Sequence, residues 1–415
     1  IPSGATINNQ GTAVNFGATG SASWITTVKT GDFTAVAGEG YFVNTTSGEI
    51  DVTLPAGSAG DVVAVADYAN TADTNNIILK QNGSDKIEGS TDDFVINQEG
   101  AALTIVFVDS TKGWIITDTG NSSDAFVAGP YAADFLVIAG GGAGGYDQGG
   151  GGGAGGYRAS FNSETSGGGG SSETALTFNS GTVYTITIGG GGAGIRGVTT
   201  PANEGVASSL SGSDITDITT IGGGRGGNYN QPSYGSSTGG SGGGGAGGSP
   251  AGLAGAAGTT NQGYAGGSAA GSVSTGTGGG GAGAVGVNST SANPGAGGAG
   301  VASTITGSSV TRGGGGGSHT ASSPYATSAG GAGGGGAGSI NPSANGNPGT
   351  ANTGSGGGGI WNFSSPYISG AGGSGVVILR VPTASYSGTT SGSPTVSTNG
   401  SDTIMVFNSS GSYTG

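Results

Sequence analysis

The sequence predicts a mainly β chain with almost no α-helix: an antiparallel β-sandwich-like region, followed by bundled polyglycine helices closed by β-strands. Three observations predict it. Apolar residues alternate with polar ones in segments of the first 139 residues. Glycine crowds into the middle, with 16 before residue 140, 81 in residues 140–375 and five after that. That middle block is bracketed by two strongly apolar segments, DFLVIAG (134–140) and GVVILRV (375–381). No segment sustains the 3.6-residue period of an amphipathic helix.

In the first region, Ile50, Val52 and Leu54 alternate with Asp51 and Thr53, and Leu103, Ile105 and Phe107 repeat the pattern. Period two means a half-buried strand with one wet face. VVAVADY (62–68) and NIILKQ (76–81) also read as strands, and Asn82-Gly83 predicts a tight hairpin turn from NIILKQ into SDKIEG. Trp24, Phe33, Tyr41, Phe42, Phe107 and Trp114 supply rings for a core. The predicted divisions are a connector (1–23), the β-sandwich-like domain (24–130), the glycine-rich domain (131–382) and a C-terminal β-hairpin segment (383–415).

A flexible linker is the plain alternative for the glycine block. Against it stand the bracketing strands and VYTITIG (183–189), with apolar residues at alternate positions. Glycine runs can instead order as left-handed helices of three residues per turn, which make no internal hydrogen bonds. Their N–H and C=O groups then need partners on neighbouring helices. Ordering the backbone costs about 1–2 kcal/mol per residue, and each hydrogen bond returns about 0.5–1.5 kcal/mol. Such a bundle therefore needs help from flanking strands, stacked rings or other chains. Scattered alanine and serine are expected on its outside.

Composition excludes several functions. With no cysteine and one histidine, thiolate metal sites and thiol catalysis are out. Nine basic against 23 acidic residues argue against nucleic acid as a partner. No apolar run reaches the ~18 residues of a membrane-spanning helix. The glycine motifs are products of low complexity. GxGxxG never sits in a strand–turn–helix unit, and GGSGG around Ser241 has only His319 as a base. GGAGGYD (141–147) puts Tyr146 where a calcium-binding repeat needs aspartate. Asp92-Asp93 reads as a solvated turn, with a calcium ligand as the alternative. No acidic residue occurs between Asp217 and Asp402, which removes paired-carboxylate hydrolysis from most of the loop-bearing region. The chain reads as a non-enzyme without cofactor or metal.

The candidate binding residues lie between glycine runs: Tyr229 and Tyr234 in GGNYNQPSYGS, Tyr325 in HTASSPYA, and Trp361, Phe363 and Tyr367 in IWNFSSPYI. Tyr264 lies in a further loop. These rings either cap the bundle or form an aromatic platform among Asn, Gln, Ser and Thr donors, suited to stacking on sugars or gripping a surface loop. His319, in GSHTASSPY, reads as an exposed loop residue, and as a ligand contact in the functional reading.

Two stretches resemble a known family. GDFTAVAGEGYFVNTTSGEIDVTLPAGSAGDVVAVADYANT (31–71), with VFVDSTKGWIITD (106–118), resembles a domain of marine tailed-phage tail fibres. FLVIAGGGAGG, GGGGGAGGYR, YTITIGGGGAG, IGGGRGG and GGSGVVILRVP, in that order, resemble the glycine-rich domain of phage tail-fibre adhesins. The resemblance implies receptor binding by loops at one end of a polyglycine bundle, on an extracellular virion fibre. It implies a homotrimer joined to other virion tail proteins, with a host cell-surface glycan or an outer-membrane protein as receptor. The loops are less aromatic than a strongly hydrophobic, protein-gripping tip, so both receptor classes stay open. A purely structural fibre or appendage subunit and a bacterial surface adhesin are the alternatives.

Overall fold

The computed structural model describes residues 22–120, 129–248, 254–269, 274–291, 293–319, 328–339, 344–361 and 366–415. The chain divides into two compact units, Ile1–Gly129 and Pro130–Gly415. The fold is mainly β, and the described helices are single 3₁₀ turns.

Unit one holds β1 (Ser23–Lys29), β2 (Phe33–Thr34), β3 (Glu39–Val43), β4 (Ile50–Thr53), β5 (Val62–Asp67), β6 (Ile77–Lys80), β7 (Phe94–Ile96), β8 (Ala102–Asp109) and β9 (Gly113–Thr119). They form two sheets, ordered β1-β3-β5-β8-β9 and β2-β4-β6-β7. Val43, Val52, Leu54, Val63, Val65, Ile77, Leu79, Ile105 and Trp114 bury the core. The expected antiparallel pairing needs correction. β1, β3 and β5 pair in parallel, as do β2, β4 and β6, and only β5-β8, β8-β9 and β6-β7 are antiparallel. The chain visits the two sheets alternately, so each strand's crossover is a strand of the other sheet and no helix is required.

The Asn82-Gly83 turn forms, with Gly83 at φ +62° and the Asp85 amide donating to the Asn82 carbonyl. Its expected hairpin does not: β6 pairs with Phe94–Ile96 rather than with SDKIEG. SDKIEG carries one apolar residue, Ile87, which joins the core without a strand around it. Trp24 also departs from its expected core role. It is 43% exposed and stacks on Phe42 at 4.8 Å.

Unit two holds β10 (Tyr131–Ile138), β11 (Tyr157–Ala159), β12 (Leu176–Phe178), β13 (Val183–Thr187), β14 (Ser208–Ser211), β15 (Ile218–Thr220), β16 (Val301–Ser303) and β17 (Val310–Arg312). Then come β18 (Val376–Pro382), β19 (Thr390–Ser391), β20 (Thr395–Asn399), β21 (Asp402–Phe407) and β22 (Gly411–Thr414). One sheet runs β11-β10-β18-β21-β20, another β15-β14-β13-β22-β19, and β16-β17 form a ribbon. The bracketing segments pair as expected: β10 and β18 are antiparallel, with Leu136 opposite Ile378 and Val137 opposite Val377. Phe135, Val137, Val377, Leu379 and Met405 face a core shared with Tyr184, Ile186, Leu210 and Tyr413 of the second sheet. Leu136, Ile138, Val376 and Ile378 face the other way, onto Tyr157, Ala282 and Ile305. Burial on both faces explains why these strands read as unbroken apolar runs. Residues 383–415 do form a hairpin, β20-β21, but β21 also pairs with β18 and β22 with β13.

The glycine runs are ordered by hydrogen bonds that repeat every third residue. In 149–156, the amides of Gly149, Gly152 and Gly155 donate to the carbonyls of Ile360, Gly357 and Gly354. Gly150, Gly153 and Gly156 donate to Gly227, Gly224 and Ile221, and Gly151 and Ala154 to Thr277 and Gly280. The carbonyls of the run accept from Ala139, Gly142 and Gly145, from Ser241 and Gly244, and from Gly316. The run thus lies among six neighbouring segments, three taking its N–H groups and three meeting its carbonyls. A three-residue turn sends successive amides in three directions, which is the geometry of packed polyglycine helices.

Close approach makes glycine obligatory. A Cβ on Gly152 would stand 2.1 Å from the Gly142 carbonyl oxygen. The expectation that alanine and serine face outward fails for Ala143, Ala154, Ala246, Ala282 and Ser241, all fully buried. Their small side chains fill gaps between runs. Two large rings also sit inside the bundle: Tyr146 at 2% exposure and Tyr157 at 0%.

Candidate functional site: the turn end of the glycine bundle

The bundle has two distinct ends. Run 140–145 leaves β10, turns through Tyr146-Asp147-Gln148, and returns as 149–156 into β11. The sheets mark one end and this turn marks the other.

Hydrogen bonds show what gathers at the turn. The Tyr146 amide donates to Asn228 Oδ1 at 3.0 Å, and the Tyr229 amide to the Tyr146 carbonyl at 3.3 Å. Asn228 is fully buried, donating its backbone amide to the Tyr234 carbonyl and its side-chain Nδ2 to the Thr200 carbonyl. The Gly149 amide donates to Ile360, whose own amide donates back to Gly145, so Trp361 follows directly beside the turn. The Gly247 amide donates to the Gln148 carbonyl at 2.9 Å. Gly276, which abuts Gly149, donates to the His319 carbonyl at 3.2 Å.

Five predicted binding residues therefore share this end: Tyr229, Tyr234, His319, Trp361 and Tyr367. The four aromatics are half-buried. Tyr367 packs against the cluster of Ala143, Tyr146, Ile195, Ala202 and Ile360. Tyr325 and Phe363 lie outside the described residues. Tyr264 is at the opposite end, with its hydroxyl toward Gly169.

His319 corrects an expectation. It is fully buried rather than exposed, its ring 6.1 Å from that of Trp361 with the planes 30° apart. Burial pushes its imidazole down to about 4, so the ring is neutral near pH 7. The polar text around it reads as loop, but stacked glycine runs close over it. His319 backs Trp361 and presents nothing to solvent.

The turn itself was not singled out from sequence. Asp147 is 3% exposed and Gln148 5%, and both adopt left-handed backbone, at φ +55° and +48°. Burial without a compensating charge pushes the Asp147 carboxyl up to about 7. The available signal was the interruption itself: YDQ splits an otherwise continuous GGGAGG…GGGGGAGG run. Elsewhere, Asp92 and Asp93 are exposed, and Asp93 pairs with Lys80 at 3.0 Å.

Fold and hydrogen bonding together define a class: a polyglycine-helix bundle closed by β-sheets, with side chains concentrated at one end. A family model described as a glycine-rich domain matches residues 116–382, and the chain belongs to that family. No curated protein matches it.

Proposed function

We propose that the protein is a receptor-binding tail fibre of a tailed phage, attaching to the host cell surface through the turn end of its glycine bundle without catalysis. The observation that carries this reading is the gathering of Tyr229, Tyr234, Trp361 and Tyr367 at the end opposite the sheets. Half-buried rings among Asn, Gln and Ser donors supply short-range stacking and hydrogen bonding. No acidic residue occurs between Asp217 and Asp402, so long-range charge contributes little to capture. The receptor is a host cell-surface glycan or outer-membrane protein. His319 acts from behind, holding Trp361. The fibre is a homotrimer attached to other virion tail proteins.

Sedimentation of purified protein with intact host cells tests the reading. Binding is expected, and it should persist at high salt. A protein that never associates with any cell surface would instead be a structural subunit. Mass in solution tests the trimer separately.

A further inference from the structure

The turn between the buried runs 140–145 and 149–156 contradicts the composition of the chain around it. Two consecutive left-handed positions, φ +55° and +48°, are occupied by Asp147 and Gln148 in a chain with 102 glycines. Glycine adopts this backbone without strain, whereas L residues do so at a cost that persists where the side chains are needed.

Each of their side chains holds one orphaned oxygen. Asp147 Oδ1 and Gln148 Oε1 are buried, and neither has a hydrogen-bond partner. Both residues are more than nine-tenths buried. Buried polar atoms are paired in the great majority of cases, and orphans call for a specific explanation. Both orphans are acceptors. A donor or a positive charge would satisfy them, and another oxygen would not.

We propose that the Tyr146–Gln148 turn binds a small hard metal cation of the calcium type, with the Asp147 carboxylate and the Gln148 amide oxygen as side-chain ligands. Hard cations select carboxylate, amide and backbone oxygens over nitrogen. Such deep burial suits a single ion rather than a bulky organic cation. One carboxylate with neutral oxygens places the site in the weak class, with dissociation constants of about 10⁻⁴–10⁻³ M, as in extracellular modules. A bound ion would fix the turn that carries Tyr146 and adjoins Trp361. The inference does not depend on the receptor reading.

The test compares the parent with Asp147→Gly in thermal melts, with and without about 5 mM CaCl2, well above the expected dissociation constant, at matched ionic strength in NaCl. Glycine suits φ +55°, so the variant removes the ligand while keeping the backbone. The parent should melt higher with calcium. Asp147→Gly should melt at least as high as the parent without calcium and show no calcium-dependent rise, and Gln148→Gly should show a reduced rise. The proposal is overturned if calcium leaves the parent's melting unchanged. It is equally overturned if Asp147→Gly gains the same rise, because the carboxylates of unit one would then account for the effect.

Discussion

The amide of Gly152 donates to the Gly357 carbonyl at 2.9 Å while its α-carbon sits so close to Gly142 that a Cβ would stand 2.1 Å from the Gly142 oxygen. One atom added at this point has nowhere to go, because the obstacle is backbone. Gly152→Ala should therefore lower stability by about 3 kcal/mol, the upper range for overpacking a dense interior. Ala154, two residues on, is also fully buried but has room for its methyl. Ala154→Gly should cost only about 1 kcal/mol, from one lost methyl and added backbone freedom. Denaturant titration of the two variants distinguishes a packed lattice from a loose glycine coil, in which both changes would be close to neutral.

Ile138 tests the junction of sheet and bundle. It pairs with Val376 in the β10-β18 ladder and is fully buried against Tyr157 and Ala282. Ile138→Asp places an uncompensated charge there, with an expected loss of about 3–5 kcal/mol. Calorimetry should show the second unit melting far below the parent. Equal melting would mean that the bracketing strands do not hold the bundle closed.

Two buried groups give stability a pH dependence in opposite senses. His319 falls from 6.5 to about 4 on folding, so the unfolded chain binds more protons between those values. Its contribution is complete above pH 6.5 and is lost as pH falls toward 4, up to about 3 kcal/mol. Asp147 rises from 3.8 to about 7, so the native state binds the extra proton and stability is lost as pH rises through that window. The two nearly cancel in the parent between about pH 4.5 and 6.5. In His319→Gln only the Asp147 contribution remains, and stability should increase as pH is lowered from 7 to about 5. Denaturant midpoints measured across that range check the sign.

Legibility followed the kind of signal each element left. DFLVIAG and GVVILRV were readable as partners because strands buried on both faces cannot alternate, and unbroken apolar runs are rare in this chain. Parallel pairing in unit one was not readable. Ile50-Asp51-Val52 alternates identically whether its neighbour runs up or down, and pairing direction is set by the path between sheets. The three-residue order of the glycine runs was readable in kind, but the six segments around 149–156 were not, since identical runs carry no register. His319 and Asp147 share that fate: both are buried by stacked runs whose neighbours in space lie far off in sequence, as with Tyr146 and Asn228. Aromatic loops stood out as candidates because large rings are conspicuous in such text. Their common location needed the hydrogen-bond ladder.

Trp361 carries the attachment prediction. It is half-buried beside the turn, with the His319 ring 6.1 Å away, so it combines a fixed position with partial exposure. A preorganised ring loses little freedom on binding, which is why aromatic anchors dominate interface energetics. Trp361→Ala should weaken attachment of isolated protein to host cells by about 2 kcal/mol, roughly thirtyfold. The double variant Trp361→Ala, Phe363→Ala should lose more, and multivalent fibres should amplify either loss. Cutting Trp361 leaves the β10-β18 core untouched, so the melting temperature should stay close to the parent's. Salt gives an independent check: a contact made by rings and amides should weaken little between about 0.1 and 1 M, where charge pairs are screened. Cell binding that is undiminished in the double variant would move the receptor site away from this end of the bundle, most directly to the acidic first unit. A steep loss with salt would then be expected in place of the flat response.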